Sequence, residues 1–231
     1  MPDNELENSI SIKKGIVQFT SKYEKSFSFK HEFDKNELTF KNHKVKSFGC
    51  SSCKSELINQ IEVLHYTDKN DFSIQLFSEN TEDEIFLFKP KKKANSLKEY
   101  FTIFNQKRKK NSTQKIYFSE NDVLKIPIIK FNLEQSFEEL SSTKLLSKKD
   151  TLNLDYIKHH VAFLLDEKGA KIKSESSIGM KTEEREFQPK EFLFDKPFLI
   201  FFKNKNNEFP YFAVKIDNTE FMDLKTSGLN K

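Results

Sequence analysis

Cys50 and Cys53 stand in the run Gly49-Cys50-Ser51-Ser52-Cys53, a spacing that suits half a zinc site, a redox pair or a local bridge. A closed zinc site needs four ligands. No second Cys pair is present, and His43 and His65 lie outside the usual finger spacing. Redox use calls for a βαβ setting, which the pattern around these residues does not offer. Two ordinary thiols, or a bridge if the chain is secreted, stand beside those readings. His159 and His160 are neighbours in a strand-like segment, so their side chains point to opposite faces and cannot share a metal. One packed and one exposed His is the plain expectation. The sequence holds no Gly-x-Ser-x-Gly, no Gly-rich phosphate loop and no His-Glu-x-x-His. It is therefore not read as an enzyme, and no cofactor or metal is implied. Two basic runs, Lys89-Pro-Lys-Lys-Lys93 and Lys107-Arg-Lys-Lys110, read as a solvated loop and a helix end, with polyanion binding as the competing reading. The segment from Asp166 to Ser177 (DEKGAKIKSESS) is the most informative. After Gly169, small or apolar Ala170, Ile172, Ser174 and Ser176 alternate with charged Lys171, Lys173 and Glu175, the period of an extended segment with one dry face.

The elements that must position these residues come from a chain of 231 residues, long enough for one large domain or two small ones. Charged residues are 32% of it, but 25 Phe supply core material, since each buried ring removes about 150–250 Å² from water. The formal charge is only +4, and Arg108 and Arg185 are its only Arg, which speaks against a nucleic-acid surface built on guanidinium forks. No apolar run approaches the ~20 residues of a membrane span. Met1 to Ser9 is acidic and polar, unlike a secretory signal, so localisation stays open between extracellular and cytoplasmic.

Strands are expected over Ile10–Phe19, Phe27–Phe33, two arms around Asn42-His43, Leu57–Tyr66, a 71–78/83–90 hairpin, Val123–Leu133, Leu152–Leu165 and a 198–202/209–216 hairpin buried on both faces. Pro127 marks an edge or a bulge. A helix is expected over Leu97–Phe104, capped by Asn95 or Ser96, and a shorter one over Ser136–Leu146. The fold class is α+β and β-dominated, with two or three small helices and a long exposed loop over about 168–190.

Five stretches and a weaker sixth, in this order, resemble the serpins. Gly15 to Phe27 (GIVQFTSKYEKSF) is similar to the family's third central strand, with Tyr23 in place of its Trp. Glu84–Pro90 (EIFLFKP) and Val123–Phe131 (VLKIPIIKF) resemble two later strands. Tyr156 to Gly169 (YIKHHVAFLLDEKG) resembles the strand, acidic pair and Gly that lead into the reactive-centre loop. Phe192–Phe202 (FLFDKPFLIFF) matches the closing strands well, and Pro210–Ile216 more weakly. The likeness starts at that third strand. The family's helical N-terminal half has no counterpart here, so a truncated serpin-like fold with mixed and antiparallel sheets is expected.

The resemblance implies a mechanism and its residues. A serine or cysteine protease cuts the loop and stays acylated while the loop inserts as a new strand in the central sheet. The implied hinge is Glu167, Gly169, Ala170, Ile172, Ser174 and Ser176; Ile172 is bulkier than usual, and Lys171 and Lys173 would face solvent. The family spacing carried on from Gly169 places the scissile bond among Glu183, Glu184, Arg185 and Glu186. Arg185 is the natural bait for a trypsin-like protease, whose specificity pocket holds an acid. The implied organisation is a tail over 1–9, a serpin-like domain over 10–218 with its loop at 168–190, and a C-terminal tail over 219–231. A protease is the expected partner, with neither membrane nor nucleic acid. Two other readings compete: a non-inhibitory, truncated serpin-like binding protein, and an unrelated β-rich binding protein.

Overall fold

The computed structural model describes residues 6–13, 16–23, 27–79, 81–111, 115–136, 144–146, 151–169 and 189–224. In chain order the elements begin β1 (Leu6–Lys13), β2 (Ile16–Tyr23), β3 (Asp34–Phe40), β4 (His43–Ser51), α1 (Ser55–Ile58), β5 (Ile61–Asp68), β6 (Asp71–Leu76) and β7 (Asp83–Lys89). They continue α2 (Leu97–Asn111), β8 (Val123–Pro127), β9 (Ile129–Ser136), β10 (Lys144–Leu146), β11 (Thr151–Leu165), β12 (Glu191–Leu193), β13 (Phe198–Asn204) and β14 (Phe212–Ile216). The fold is α+β and dominated by strands, as the residue patterns predict. Two compact units divide it: Met1–Ser26 with Lys130–Leu164, and Phe27–Ile129 with Leu165–Lys231.

The first unit is a mixed sheet ordered β1-β2-β11-β10, with β9 also pairing β11. β1 and β2 are antiparallel, from Leu6 opposite Tyr23 to Lys13 opposite Ile16. β2 and β11 are parallel neighbours, from Ile16 opposite Asn153 to Ser21 opposite His159, with a register shift between Leu154 and Tyr156. The rings of Phe131 and Phe163 lie 5.2 Å apart.

The second unit holds two sheets, a four-stranded β12-β8-β4-β3 and an antiparallel β14-β13-β7-β6-β5. Phenylalanines join them: Phe72 of β6 meets Phe192 at 5.3 Å and Phe194 at 5.0 Å, and Phe194 meets Phe198 at 5.0 Å. Lys89 is buried at the same junction. Its Nζ donates to Lys69 O at 2.8 Å, to Leu193 O at 2.7 Å and to the Asp195 carboxylate, so all three protons are used. Burial lowers its pKa, against the pull of Asp195. α2 covers the other face of the antiparallel sheet. Tyr100, Phe101 and Phe104, three and four apart, pack on Phe86, Phe88, Leu199 and Phe201. Its start is capped as expected: Ser96 Oγ accepts from Glu99 N–H at 3.1 Å, and Glu99 Oε2 accepts from Asn95 N–H at 2.8 Å.

Several sequence expectations change. Phe27–Phe33 is not a strand; only Ser28 makes a bridge, and Phe29 and Phe33 are aromatic anchors of an irregular segment. Leu57–Gln60 closes the turn of α1 before β5 begins, with Asn59 N–H bonded to Ser55 O at 3.0 Å. The run Val123–Leu133 is two strands, because Pro127 ends β8 and Ile128 hands the chain to β9 in the other unit's sheet. Lys144–Leu146 lies in a strand rather than the expected helix; residues 137–143 fall outside the described ones. β13 is buried along five residues, whereas β14, at the sheet edge, is mostly half-exposed. Beyond it, Met222 bridges Ile129 and Leu224 bridges Val45.

Candidate functional site

The site is the pair of anchors that hold the two ends of segment 170–188, both within the second unit. Of the expected hinge residues, Glu167 and Gly169 are described. Ala170, Ile172, Ser174 and Ser176, and the expected scissile residues Glu183, Glu184, Arg185 and Glu186, lie outside the described residues.

The proximal anchor begins where β11 ends. Asp166 Oδ1 accepts the Lys168 N–H at 2.9 Å, turning the chain. Partial burial raises the Asp166 carboxyl above its ordinary value, against the Lys168 N–H bond that lowers it. The turned chain docks on residues 27–33. Phe33 N–H donates to Glu167 O at 2.9 Å, Phe29 N–H donates to Lys168 O at 3.1 Å, and Ser28 bridges Gly169 antiparallel. Glu167 is buried, and its carboxylate meets Lys35 Nζ at 3.1 Å. Gly169 has φ +68°, in the left-handed region. A Cβ there would stand 2.5 Å from Phe27 O and 2.7 Å from Phe29 N, both backbone atoms that no side-chain rotation can move away.

Residues 27–33 are themselves fixed. Phe29 and Phe33 meet edge-on at 5.1 Å and both pack near Phe48. The buried Gln60 amide accepts from His31 N–H at 2.6 Å and donates to His31 O at 2.8 Å, and Glu79 N–H donates to Ser28 O at 2.8 Å. The backbone bonds of Ser28, Phe29, His31 and Phe33 thus go to the anchor, Gln60 and Glu79 rather than to a ladder.

The distal anchor is Lys190. Its N–H donates to Asp122 Oδ1 at 2.7 Å, and its Nζ lies 3.3 Å from Asp122 Oδ2, which also accepts from Ser119 N–H at 2.8 Å. Asp122 is fully buried, so one carboxylate closes the 119–122 turn and grips the returning chain. Val123 N–H donates to Lys190 O at 3.0 Å, and β12 then runs parallel to β8, with Glu191 opposite Val123. Cys50 and Cys53 are joined in a disulfide beside this turn. Cys50 is opposite Leu124, and Cys53 N–H donates to Glu120 O at 3.0 Å. The bridge settles the cysteines as neither zinc ligands nor free thiols in this structure.

Gly169 and its acidic neighbours are marked in the sequence, whereas Gln60, Asp122 and Lys190 become anchor residues only in the fold. The signal for Asp122 was present: Ser119-Glu-Asn-Asp122 has turn composition just before a strand. His159 lies on β11 opposite Ser21 of β2. Among the described residues no group of His, Cys, Asp and Glu is arranged to hold a metal.

The chain is thus a strand-rich α+β protein held at Glu167 to Gly169 and again at Lys190. The family model described as Serpin (serine protease inhibitor) matches residues 16–219, and the chain belongs to the serpin family. Human thyroxine-binding globulin complexed with thyroxine shares the fold at TM-score 0.57 and 12% identity, over 90% of this chain and 58% of that one. Human glycosylated kallistatin does so at TM-score 0.54 and 12% identity, over 87% of this chain and 55% of that one. The chain thus spans little more than half the length of the solved structures that it matches. No curated protein matches it significantly in sequence.

Proposed function

We propose that the chain acts as a serpin-type inhibitor whose segment 170–188 baits a serine or cysteine protease, with cleavage among Glu183 to Glu186 and Arg185 as the preferred residue for a trypsin-like enzyme. One observation carries this reading: β2 and β11 are direct parallel neighbours, and the segment follows from the C-terminal end of β11. A cut segment folding back between them would run antiparallel to both. One slanted parallel ladder would be exchanged for two antiparallel ones, which are slightly more stable per residue. Ala170, Ser174 and Ser176 are small enough for the inward face of such a strand. The test compares thermal melts of the intact chain and of the chain cut within 170–188. Insertion predicts a higher melting temperature after cleavage; an unchanged or lower one contradicts it.

A second reading has its own support. Leu97, Lys98 and Phe101 of α2, Phe209 and Pro210 just before β14, and Ala213 within it line a mostly apolar pocket of about 360 Å³. A non-inhibitory binding protein that carries a small apolar ligand there, as a relative carries thyroxine, would be cut without trapping the protease.

A further inference from the structure

Independently of the loop, the second unit gathers lysines where stability gives no reason for them. A cleft of about 760 Å³ opens between the end of β7, the start of β13 and the end of β14. Seven of its fifteen lining residues are Lys, in a chain with 39 Lys+Arg among 231 residues, and Asp217 is the one lining acid. The lysines arrive from four separate segments: Lys41 from the β3–β4 turn, Lys91 to Lys93 from the link into α2, Lys196 from before β13, and Lys215 from β14. Their convergence is a property of the fold and not of one basic run. The other run, Lys107 to Lys110, takes no part in it.

Lys91 is paired with Asp68 at 3.5 Å and Lys215 with Asp217 at 3.1 Å. Lys196 donates to Asn70 Oδ1 at 2.9 Å, a neutral partner that fixes the ammonium without cancelling its charge. Lys41, Lys92 and Lys93 make no ion pair among the described residues. The buried Lys89 forms part of the wall, but its ion pair with Asp195 offsets its charge, so the exposed lysines carry the cleft's positive field. Lys41 also holds φ +52°, where Gly or Asn costs less, and its N–H is bonded to Asp195 O at 2.8 Å. Like charges collected in one concavity repel one another, and they do so least when an anion sits among them.

We propose that this cleft binds a small soluble anion that carries several phosphate groups. Ammonium groups are compact point charges, suited to clustered tetrahedral oxyanions rather than to the planar carboxylates that an Arg fork grips. The cleft volume lies in the range of small-ligand sites. The lysines surround a concavity instead of following a stripe, which fits a compact ligand better than a long polyanionic chain.

The test is calorimetric titration of the full chain with inorganic tripolyphosphate at about 50 and about 150 mM salt, since screening at the higher strength weakens an exposed charge site. The Lys92→Gln/Lys93→Gln variant is compared with a Lys44→Gln/Lys205→Gln control, exposed lysines outside the cleft. Saturable binding is expected, weaker at higher salt. The cleft variant should lose about tenfold in affinity and the control less than about twofold. An unchanged melting temperature of the cleft variant shows that the loss is not unfolding; if that variant unfolds, Lys41→Gln replaces it. Absence of saturable binding, equal losses in both variants, or binding of a long sulfated polysaccharide where tripolyphosphate fails would each overturn the proposal.

Discussion

Replacing Gly169 with Ala should loosen the proximal anchor by an amount that the geometry sets. The residue sits at φ +68°, a conformation that costs an L-residue with a Cβ about 1–2 kcal/mol. The added methyl would also lie 2.5 Å from Phe27 O and 2.7 Å from Phe29 N, so the backbone must part. The first bond to stretch is Phe29 N–H to Lys168 O, now 3.1 Å, worth about 1 kcal/mol net. Together these give a loss of about 2–3 kcal/mol, or about 4–12 °C in melting temperature for a chain of this size. Urea denaturation of Gly169→Ala against wild type measures it, with Lys168→Ala as the control that keeps the same carbonyl. A Gly169→Ala protein within about 0.5 kcal/mol of wild type would refute the idea that this glycine is required by close backbone approach.

Other outcomes follow from the same contacts. Removing the bridge with Cys50→Ala/Cys53→Ala should cost about 2 kcal/mol by the entropy of its short loop, read as a lower urea midpoint that matches the reduced wild type. Lys203 Nζ meets Glu84 Oε2 at 2.7 Å across β13 and β7 and donates to Asn207 O at 3.1 Å, both carboxylate and ammonium being largely buried. Lys203→Met leaves that carboxylate unpaired and should destabilise by about 3 kcal/mol, whereas Lys203→Met/Glu84→Leu should recover part of the loss in a double-mutant cycle. His65 is held below its ordinary value of 6.5, first by burial and then by the Lys107 cation, with Asp71 pulling the other way. As pH falls through about 6.5 the unfolded chain takes up a proton that folded His65 refuses, so stability is lost on the acid side. His65→Gln should flatten the stability-versus-pH curve between about pH 5 and 6.5; an unaltered slope would show that other groups set it.

The strands with clear patterns were legible in the sequence. Phe27–Phe33 was not, because its Phe spacing suits a strand face and an irregular aromatic anchor equally well. What decides is where the backbone groups bond, and they bond to residues distant in the chain: Gln60, Glu79, Glu167 and Lys168. The Val123–Leu133 run hid a change of sheet at Ile128, since an apolar run carries no mark of which sheet each half joins. Gly169 was legible through the family's order of motifs. The distal anchor was not, because Asp122 and Lys190 become partners only when β12 docks on β8. The Cys50–Cys53 spacing left four readings open, and the bridge between β4 and α1 removes two of them, zinc ligands and free thiols. The lysine cleft was half visible as the run from Lys89 to Lys93; Lys41, Lys196 and Lys215 join it through the fold alone.

The most direct measurement incubates the chain with sub-stoichiometric trypsin and resolves the products on a denaturing gel, with mass spectrometry of the fragments. A working inhibitor gives a band at the summed mass that survives SDS, a cut after Arg185, and loss of that band in Arg185→Gln. Clean cleavage with no complex, and no rise in the melting temperature of the cut chain, would contradict inhibition and leave a serpin fold that serves as a binding protein.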